Sequence, residues 1–206
     1  MRHAAHSRAA LQKLVLLLVV TAGWGWGPAG ALQVWGGYSL PNDGEFTELY
    51  GGTPEIGLAY FFPVTKWGGA EFDAGYRWGS GEPIAGPFVK SAEAAWRAVP
   101  MTLAFRFDPS SKPVRPYGTI GLVVQWNRET FNVDVADLKI DRSAAQWCFG
   151  LAAGLGFLSS GRAFNLFSDL QWSWLPGDRI EILENETRKS GDMNLGGLRF
   201  RLGVAF

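Results

Sequence analysis

A small set of side chains in this 206-residue sequence could do chemistry. Glu71 and Asp73 lie two residues apart, so on a strand both carboxyl groups would face the same side, as acid–base catalysis can require. A serine nucleophile needs a neighbouring base, and both histidines, His3 and His6, lie in a segment that we expect to be cleaved off. The two carboxylates are better explained by pairing with arginines. We therefore predict no catalytic residues, and because the sequence has no clustered set of metal ligands, we predict no metal and no cofactor.

The first 31 residues have the three parts of a secretory signal peptide. A basic start is followed by the apolar run LVLLLVV at positions 14–20 and by the small residues Ala-Gly-Ala. An anchoring helix is the alternative, but the run is shorter than the roughly 20 apolar residues that a membrane-spanning helix needs. We expect residues 1–31 to be removed and residues 32–206 to form one domain.

The mature chain is close to neutral. Three of the 19 basic residues lie in the signal segment and none of the 19 acidic residues does, so acidic residues are in slight excess. This balance gives no reason to expect nucleic acid as a partner. The single cysteine, Cys148, cannot form an internal disulfide, and it lies between two aromatic residues in an apolar pattern. We expect a buried, unreactive thiol.

Period-2 alternation runs through the mature chain, with no convincing stretch of helical periodicity. The gaps between the alternating segments are short and long in turn, with PVTKWG, DPSSKP and SSGRA as the short ones. The pattern predicts an all-β fold, an eight-stranded antiparallel up-and-down transmembrane β-barrel with short periplasmic turns and long extracellular loops. In the fourth strand, Pro100 predicts a bulge or break because it cannot donate to the ladder. The predicted strands are 33–40, 54–62, 69–79, 95–107, 114–127, 145–158, 164–175 and 195–206.

One face of the predicted strands is apolar, and the other carries charges and small residues. A soluble ligand-binding barrel would place the apolar face inside, and alternation alone does not separate the two arrangements. Lipid outside is favoured because the apolar face is aromatic around the whole circuit, whereas the glycine-rich face suits a narrow lumen. Tryptophans near the strand ends predict an aromatic girdle. Its members are Trp67 at the inner rim and Trp78, Trp96, Trp126, Trp147, Trp172 and Trp174 at the outer rim.

The charged face predicts a network of ion pairs inside the barrel. Isolated charges in a narrow lumen are costly, so opposite charges should pair and fill the space. This predicts a plugged interior, and the alternative is a small gated conduit whose ion pairs rearrange. The predicted lumen charge network consists of Glu55, Glu71, Asp73, Arg77, Arg106, Arg115, Asp169, Arg199 and Arg201.

The last strand alternates apolar residues and ends on an aromatic residue. Together with the segments RPYGTIGLVVQW and FGLAAGLGF, this strand resembles the small OmpA/OmpX-type eight-stranded outer-membrane β-barrel family of Gram-negative bacteria. The resemblance implies that the outer-membrane insertion machinery recognises a C-terminal signal formed by Phe200, Leu202, Val204 and Phe206. Lipid-modifying enzymes of this architecture use a histidine base, and the expected mature chain has no histidine, so we predict that the chain is not an enzyme.

The combined prediction is a non-enzymatic protein of the cell outer membrane that serves envelope integrity or cell-surface interaction through its extracellular loops. Expected partners are the insertion machinery, outer-membrane lipid and lipopolysaccharide, whose phosphates Arg179, Arg188 and Lys189 of the last loop could bind. A narrow outer-membrane channel for small or apolar solutes is the first alternative. A secreted soluble ligand-binding barrel is the second.

Overall fold

The computed structural model describes residues 31–82, 89–109, 113–135, 138–159, 161, 164–183 and 186–206. Residues 1–30, on which the predicted signal peptide falls, lie outside the described residues. The described chain forms one short helix, α1 (Gly44–Tyr50), and ten strands. The strands are β1 (Ala31–Pro41), β2 (Thr53–Thr65), β3 (Gly68–Gly81), β4 (Val89–Phe107), β5 (Val114–Val135), β6 (Leu138–Ser159), β7 (Asn165–Trp174), β8 (Pro176–Leu183), β9 (Glu186–Asn194) and β10 (Gly197–Ala205).

Eight of these strands close into a barrel. The order around it is β1-β10-β7-β6-β5-β4-β3-β2, and every neighbouring pair is antiparallel. The first and last strands pair from Gln33↔Ala205 to Pro41↔Gly197, and the Phe206 amide donates to the Leu32 carbonyl at 2.9 Å. Because closure leaves no free sheet edge, all eight barrel strands have partners on both sides. The predicted eight-stranded antiparallel barrel is confirmed.

The strands β4, β5 and β6 are much longer than predicted. β5 and β6 stay in register from Val114↔Ser159 to Val135↔Leu138, so most of the segment predicted as a long loop at 128–143 is strand. The fourth strand runs past Pro100 without a bulge. Its pairing with β3 has the same register at Ala74↔Met101 and at Arg77↔Ala98. The predicted bulge at Pro100 is therefore absent, whereas the predicted break is present as a local interruption of the β3–β4 ladder, in which no residues pair between Ala74↔Met101 and Arg77↔Ala98.

Two elements outside the barrel wall were not predicted. The helix α1 follows β1 and is N-capped by Asp43, whose side chain accepts a hydrogen bond of 2.9 Å from the Phe46 amide. It ends at Gly51, which has a positive φ of 63° that favours glycine. A separate two-stranded sheet, β8–β9, lies between β7 and β10. The all-β prediction stands, and the helix is one short segment that shows no clear helical periodicity in the sequence.

The two faces of the barrel wall differ sharply in polarity. Outward-facing side chains are large, apolar and well exposed, with Ile120 68%, Phe149 64% and Leu155 74% accessible. Inward-facing side chains include most of the buried charges. A soluble barrel would show the reverse, since exposed apolar surface of this extent is unfavourable in water. Among the described residues, no helix is long and apolar enough to span a membrane.

Glycines make room for two aromatic side chains inside the narrow barrel. A Cβ atom at Gly57 would overlap Trp35 Cζ2, and one at Gly156 would lie 2.5 Å from Tyr117 Cζ. Neither position has space for a methyl group without movement of the ring, because the wall and the ring are already in contact. The inward-facing glycines therefore fix how the interior is packed.

Replacing Gly57 with alanine is expected to lower the free energy of unfolding by about 1–3 kcal/mol, because the new methyl group overlaps both the Trp35 ring and the backbone carbonyl oxygen of Ala74. Gly36 is a matched control on the outward face, where an added Cβ would meet nothing closer than 4.0 Å. Urea unfolding in lipid vesicles, followed by the gel shift between folded and unfolded barrels, measures both variants. Equal stability of Gly57→Ala and Gly36→Ala would show that neither the Trp35 ring nor the Ala74 backbone is tightly held at this position.

Candidate functional site: the charged lumen

The interior of the barrel has three layers. The middle layer is charged and lies between two clusters of buried apolar side chains. One apolar cluster, near the chain termini, contains Trp35, Tyr117 and Phe167, and the other, near α1, contains Phe46, Tyr50 and Trp96. We call the charged layer the lumen cluster. It consists of four carboxylates and four guanidinium groups: Glu55, Glu71, Asp73, Asp169, Arg77, Arg106, Arg199 and Arg201.

Arg201 of β10 is the centre of the lumen cluster. Its Nε and Nη2 atoms donate to Asp169 Oδ1 and Oδ2 at 2.8 and 2.7 Å, which is a bidentate pair between adjacent strands. Its Nη1 atom donates to Asp73 on the far side of the barrel, and Nη2 lies 3.5 Å from Glu71 Oε1. The side chain is 1% exposed. One guanidinium group thus joins three carboxylates from two separate parts of the barrel wall.

Arg199 and Arg77 complete the same cluster towards α1. Arg199 Nε lies 3.4 Å from Glu55 Oε1, and Nη1 lies 3.5 Å from Asp73 Oδ1. Arg199 also donates to Gln171 on the neighbouring strand. Arg77 Nε donates to Glu55, its cross-strand partner in the ladder. Each carboxylate therefore lies against at least one arginine, as low-dielectric burial of charge requires.

Arg106 lies on the side of the lumen cluster that is nearer to the chain termini. Its Nη1 atom donates to Glu71 Oε2 at 3.2 Å, and its guanidinium carbon lies 3.7 Å from the centre of the Tyr117 ring. The Tyr117 hydroxyl in turn donates to Asp169 Oδ2 at 2.7 Å. Tyr117 thus connects the apolar cluster to the charges and gives Asp169 a third hydrogen bond. Tyr117 is not among the predicted site residues.

Arg115 differs from the other residues of the predicted network. It lies at the rim of the barrel, its side chain is 28% exposed, and its Nη1 atom lies 3.4 Å from Asp108 Oδ2. Asp108 is also 3.9 Å from Arg106 Nη2. The structure therefore brings eight of the nine predicted residues together, whereas Arg115 is joined to them only through Asp108. Its position at the start of β5 explains this, because the wall gives less cover there.

The layer near α1 is aromatic and is closed by a hydrogen bond. Phe46 and Trp96 pack edge to face, with ring centres 5.0 Å apart, and Tyr50 packs at 4.7 Å from Phe46. The Tyr50 hydroxyl donates to Glu129 Oε1 at 2.5 Å. Burial raises the pKa of Tyr50, and the Glu129 carboxylate raises it further, so the hydroxyl keeps its proton and stays a donor. The helix α1 is thus fixed over this end of the lumen.

Trp96 does not belong to the predicted aromatic girdle. It is 3% exposed and packs inside the barrel against the residues of α1, so the prediction for this residue is wrong. Inward alternation on β4 is the physical reason, since Trp96 shares its face with the buried residues Ala98 and Arg106. The other predicted girdle residues lie on the outer surface. Trp67, Trp78, Trp147, Trp172 and Trp174 are exposed, and Trp126 is half-buried.

The C-terminal strand places its apolar residues on the outer surface and its arginines inside. Phe200, Leu202 and Phe206 are exposed, and Val204 is half-buried on the same face. Recognition of these residues by the insertion machinery remains a prediction. The side chains of Arg179, Arg188 and Lys189, for which phosphate contacts are predicted, lie outside the described residues.

The chemistry that the lumen cluster offers is electrostatic. Glu71 and Asp73 face the same side of β3, as their spacing predicts, and both lie against arginines. Among the described residues, no group of three or more histidines, cysteines, aspartates and glutamates is placed to hold a metal ion. The arrangement can hold opposite charges in fixed positions within a low-dielectric wall.

The fold and its two faces define the class of protein. A closed barrel of eight antiparallel strands with an apolar outer surface and a charged interior is a membrane-spanning β-barrel, and such barrels reside in outer membranes. The chain is an outer-membrane β-barrel protein. No protein-family model matches the sequence, and no curated protein matches it.

Solved structures with the same fold come from several bacteria. OprG from Pseudomonas aeruginosa superposes with a TM-score of 0.58 over 86% of this chain and 95% of that chain, at 17% identity. A major outer membrane protein from Thermus thermophilus gives 0.52 over 86% and 99%, at 13% identity. Ail of Yersinia pestis, in complex with the heparin analogue sucrose octasulfate, gives 0.50 over 86% and 99%, at 14% identity. The resemblance to small eight-stranded outer-membrane barrels is confirmed at the level of the fold.

Proposed function

We propose that this protein is a non-enzymatic outer-membrane barrel whose lumen is closed by ion pairs. It serves envelope integrity or cell-surface interaction through the parts of the chain that project beyond the bilayer. The observation that carries this proposal is the lumen cluster, in which four carboxylates and four guanidinium groups are buried together across the barrel. A conducting lumen in a barrel of eight strands would need these charges to face water.

The apolar clusters on both sides of the charges support a closed lumen. Trp35 lies 5.2 Å from the Arg199 guanidinium carbon and 5.4 Å from that of Arg201, so one aromatic ring covers both groups. At the other end, Phe46 and Tyr50 of α1 cover the lumen next to Trp96. An ion entering from either side would have to leave its hydration shell at an apolar layer.

The projecting elements support a role in surface interaction. β5 and β6 extend well past the apolar outer surface, and the β8–β9 sheet is attached at its base, where Gln146 Nε2 donates to the Asp178 carbonyl at 3.0 Å. Such a rigid wall presents loops in fixed positions, which favours recognition. Ail, a protein of this fold, has been solved with a heparin analogue, so the fold is compatible with binding at the cell surface.

Single-channel recording of the refolded mature protein in a planar bilayer tests the closed lumen. We expect insertion without current for the wild type. In the Arg199→Ala, Arg201→Ala variant, loss of two guanidinium groups leaves carboxylates without partners, and we expect either current or loss of folded barrel. Steady current through the wild type that changes in this variant would overturn the proposal.

A narrow channel for small or apolar solutes is the second candidate. Four polar atoms of the lumen cluster are buried without a hydrogen-bond partner: Glu55 Oε1, Asp73 Oδ1, Arg106 Nε and Arg199 Nε. A polar solute passing through could satisfy them, and the ion pairs would then exchange partners. Uptake of a labelled solute into vesicles that contain the wild-type protein, measured against empty vesicles, distinguishes this candidate from the closed barrel.

A further inference from the structure

Two arginines lie on the outer surface of the barrel, at the edge of its apolar region that is nearer to α1. On β5 the outward residues are apolar up to Trp126, and Arg128 is the first charged residue after them. On β4 the outward residues from Phe107 to Val99 are apolar, and Arg97 is the first charged residue beyond them. Both arginines are exposed. They therefore lie where the hydrocarbon region gives way to lipid headgroups.

The strand register places these two side chains directly opposite each other. Arg97 pairs with Arg128 in the β4–β5 ladder, and cross-strand partners have Cβ atoms about 5 Å apart. Like charges in this position repel and destabilise the pair. Neither arginine has an ion-pair partner among the described residues, and the nearest outward carboxylates on these strands, Glu93 and Asp134, are four and six residues further along. An anion between the two guanidinium groups would remove the repulsion.

Aromatic rings lie beside the pair and on its membrane side. Trp78 is the partner of Arg97 in the β3–β4 ladder and stacks on Tyr76 with ring centres 5.8 Å apart. Trp126 lies two residues before Arg128 and pairs with Trp147. Tryptophan and tyrosine favour the depth of lipid headgroups, so these rings fix the depth of the two arginines. A ligand at this position is partly in the bilayer and partly in water.

We infer that Arg97 and Arg128 form a binding site for a phosphate group of an outer-leaflet lipid. Guanidinium groups bind phosphate oxygens in a bidentate manner, and two of them can hold one phosphate from both sides. The depth argues for a phosphate attached to a lipid, since the acyl chains of that lipid would lie on the apolar wall below. With the predicted orientation, which places the short turns in the periplasm, the site lies in the outer leaflet. The inference does not depend on whether the lumen is closed.

Native mass spectrometry of the refolded protein with added lipid A that carries two phosphates tests this site. We expect the wild type to retain one lipid A molecule, and the Arg97→Gln, Arg128→Gln variant to bind it at least about tenfold more weakly. Lys66→Gln is the matched control, because Lys66 is an exposed cation next to Trp67 at the opposite rim. This control should bind lipid A as the wild type does.

Lipid A without phosphates and inorganic phosphate separate the possible sources of the anion. If the wild type binds the dephosphorylated lipid more weakly than lipid A with two phosphates, the result supports the phosphate site. Equal retention of lipid A by the wild type and the double variant would overturn it. Complete displacement of lipid A by millimolar inorganic phosphate would overturn the assignment to a lipid. The gel shift between folded and unfolded barrels confirms that each variant is folded before it is compared.

Discussion

Replacing Arg201 with alanine is expected to lower the free energy of unfolding by about 3–5 kcal/mol. The guanidinium group binds Asp169 through two hydrogen bonds of 2.7 and 2.8 Å and also contacts Asp73 and Glu71. Its removal leaves the buried carboxylates Asp169, Asp73 and Glu71 without their main counter-ion. This cost should far exceed that of losing an exposed ion pair, which is about 1 kcal/mol or less.

Urea unfolding in vesicles measures this effect, and two further variants assign it to charge. Arg115→Ala removes a guanidinium group that is partly exposed at the rim and pairs with Asp108, so it should cost little. Adding Asp169→Asn to Arg201→Ala makes the number of buried negative and positive charges equal again, and part of the lost stability should return. Wild-type stability of Arg201→Ala would show that the ion pairs of the lumen cluster make no net contribution.

Replacing Trp96 with alanine is expected to cost about 3–5 kcal/mol, because the side chain is fully buried against α1. The cavity would leave Phe46 and Tyr50 without their main contact on the barrel wall. The helix should then detach more readily, with loss of the hydrogen bond from Tyr50 to Glu129. Proteolytic cleavage between β1 and β2 should become faster in the variant.

Trp147→Ala is the matched control for this prediction. Trp147 is 56% exposed on the outer surface, so its removal leaves no internal cavity, and we expect well under half of the effect. Unfolding in vesicles and the rate of cleavage between β1 and β2 measure both variants. If Trp147→Ala destabilised the protein more than Trp96→Ala, the assignment of Trp96 to the interior would be wrong.

The inward and outward faces of the strands could be predicted from alternation. The prediction for Trp96 is wrong because it was based on position near a strand end. Alternation places Trp96 on the same side of β4 as Arg106, and that is the side on which it lies. The prediction used its position near a strand end, where girdle tryptophans are common, instead of its parity. Parity is the better guide in a closed barrel, because one residue of shift would move a whole strand's apolar side chains to the wrong side.

The helix α1 could have been found from local signals, whereas other features depend on the closed barrel. Asp43 before the helix, the spacing of Phe46 and Tyr50, and the glycine after it are ordinary signals for a short helix. These signals have no two-residue period, so alternation alone does not reveal them. The partners of each lumen charge could not be predicted. Arg201 contacts Asp73, which is 128 residues earlier in the chain, and only the closed circuit brings the two together.

Half of the positive charge of the lumen cluster enters with the last strand. Arg199 and Arg201 both belong to β10, and they supply the counter-ions for carboxylates on β2, β3 and β7. Before β10 joins, the lumen cluster consists of four carboxylates and two arginines. Its positive and negative charges are equal in number only after β10 has docked. Folding intermediates that lack this strand would meet an electrostatic penalty in the bilayer, and assembly is thereby biased towards completed chains.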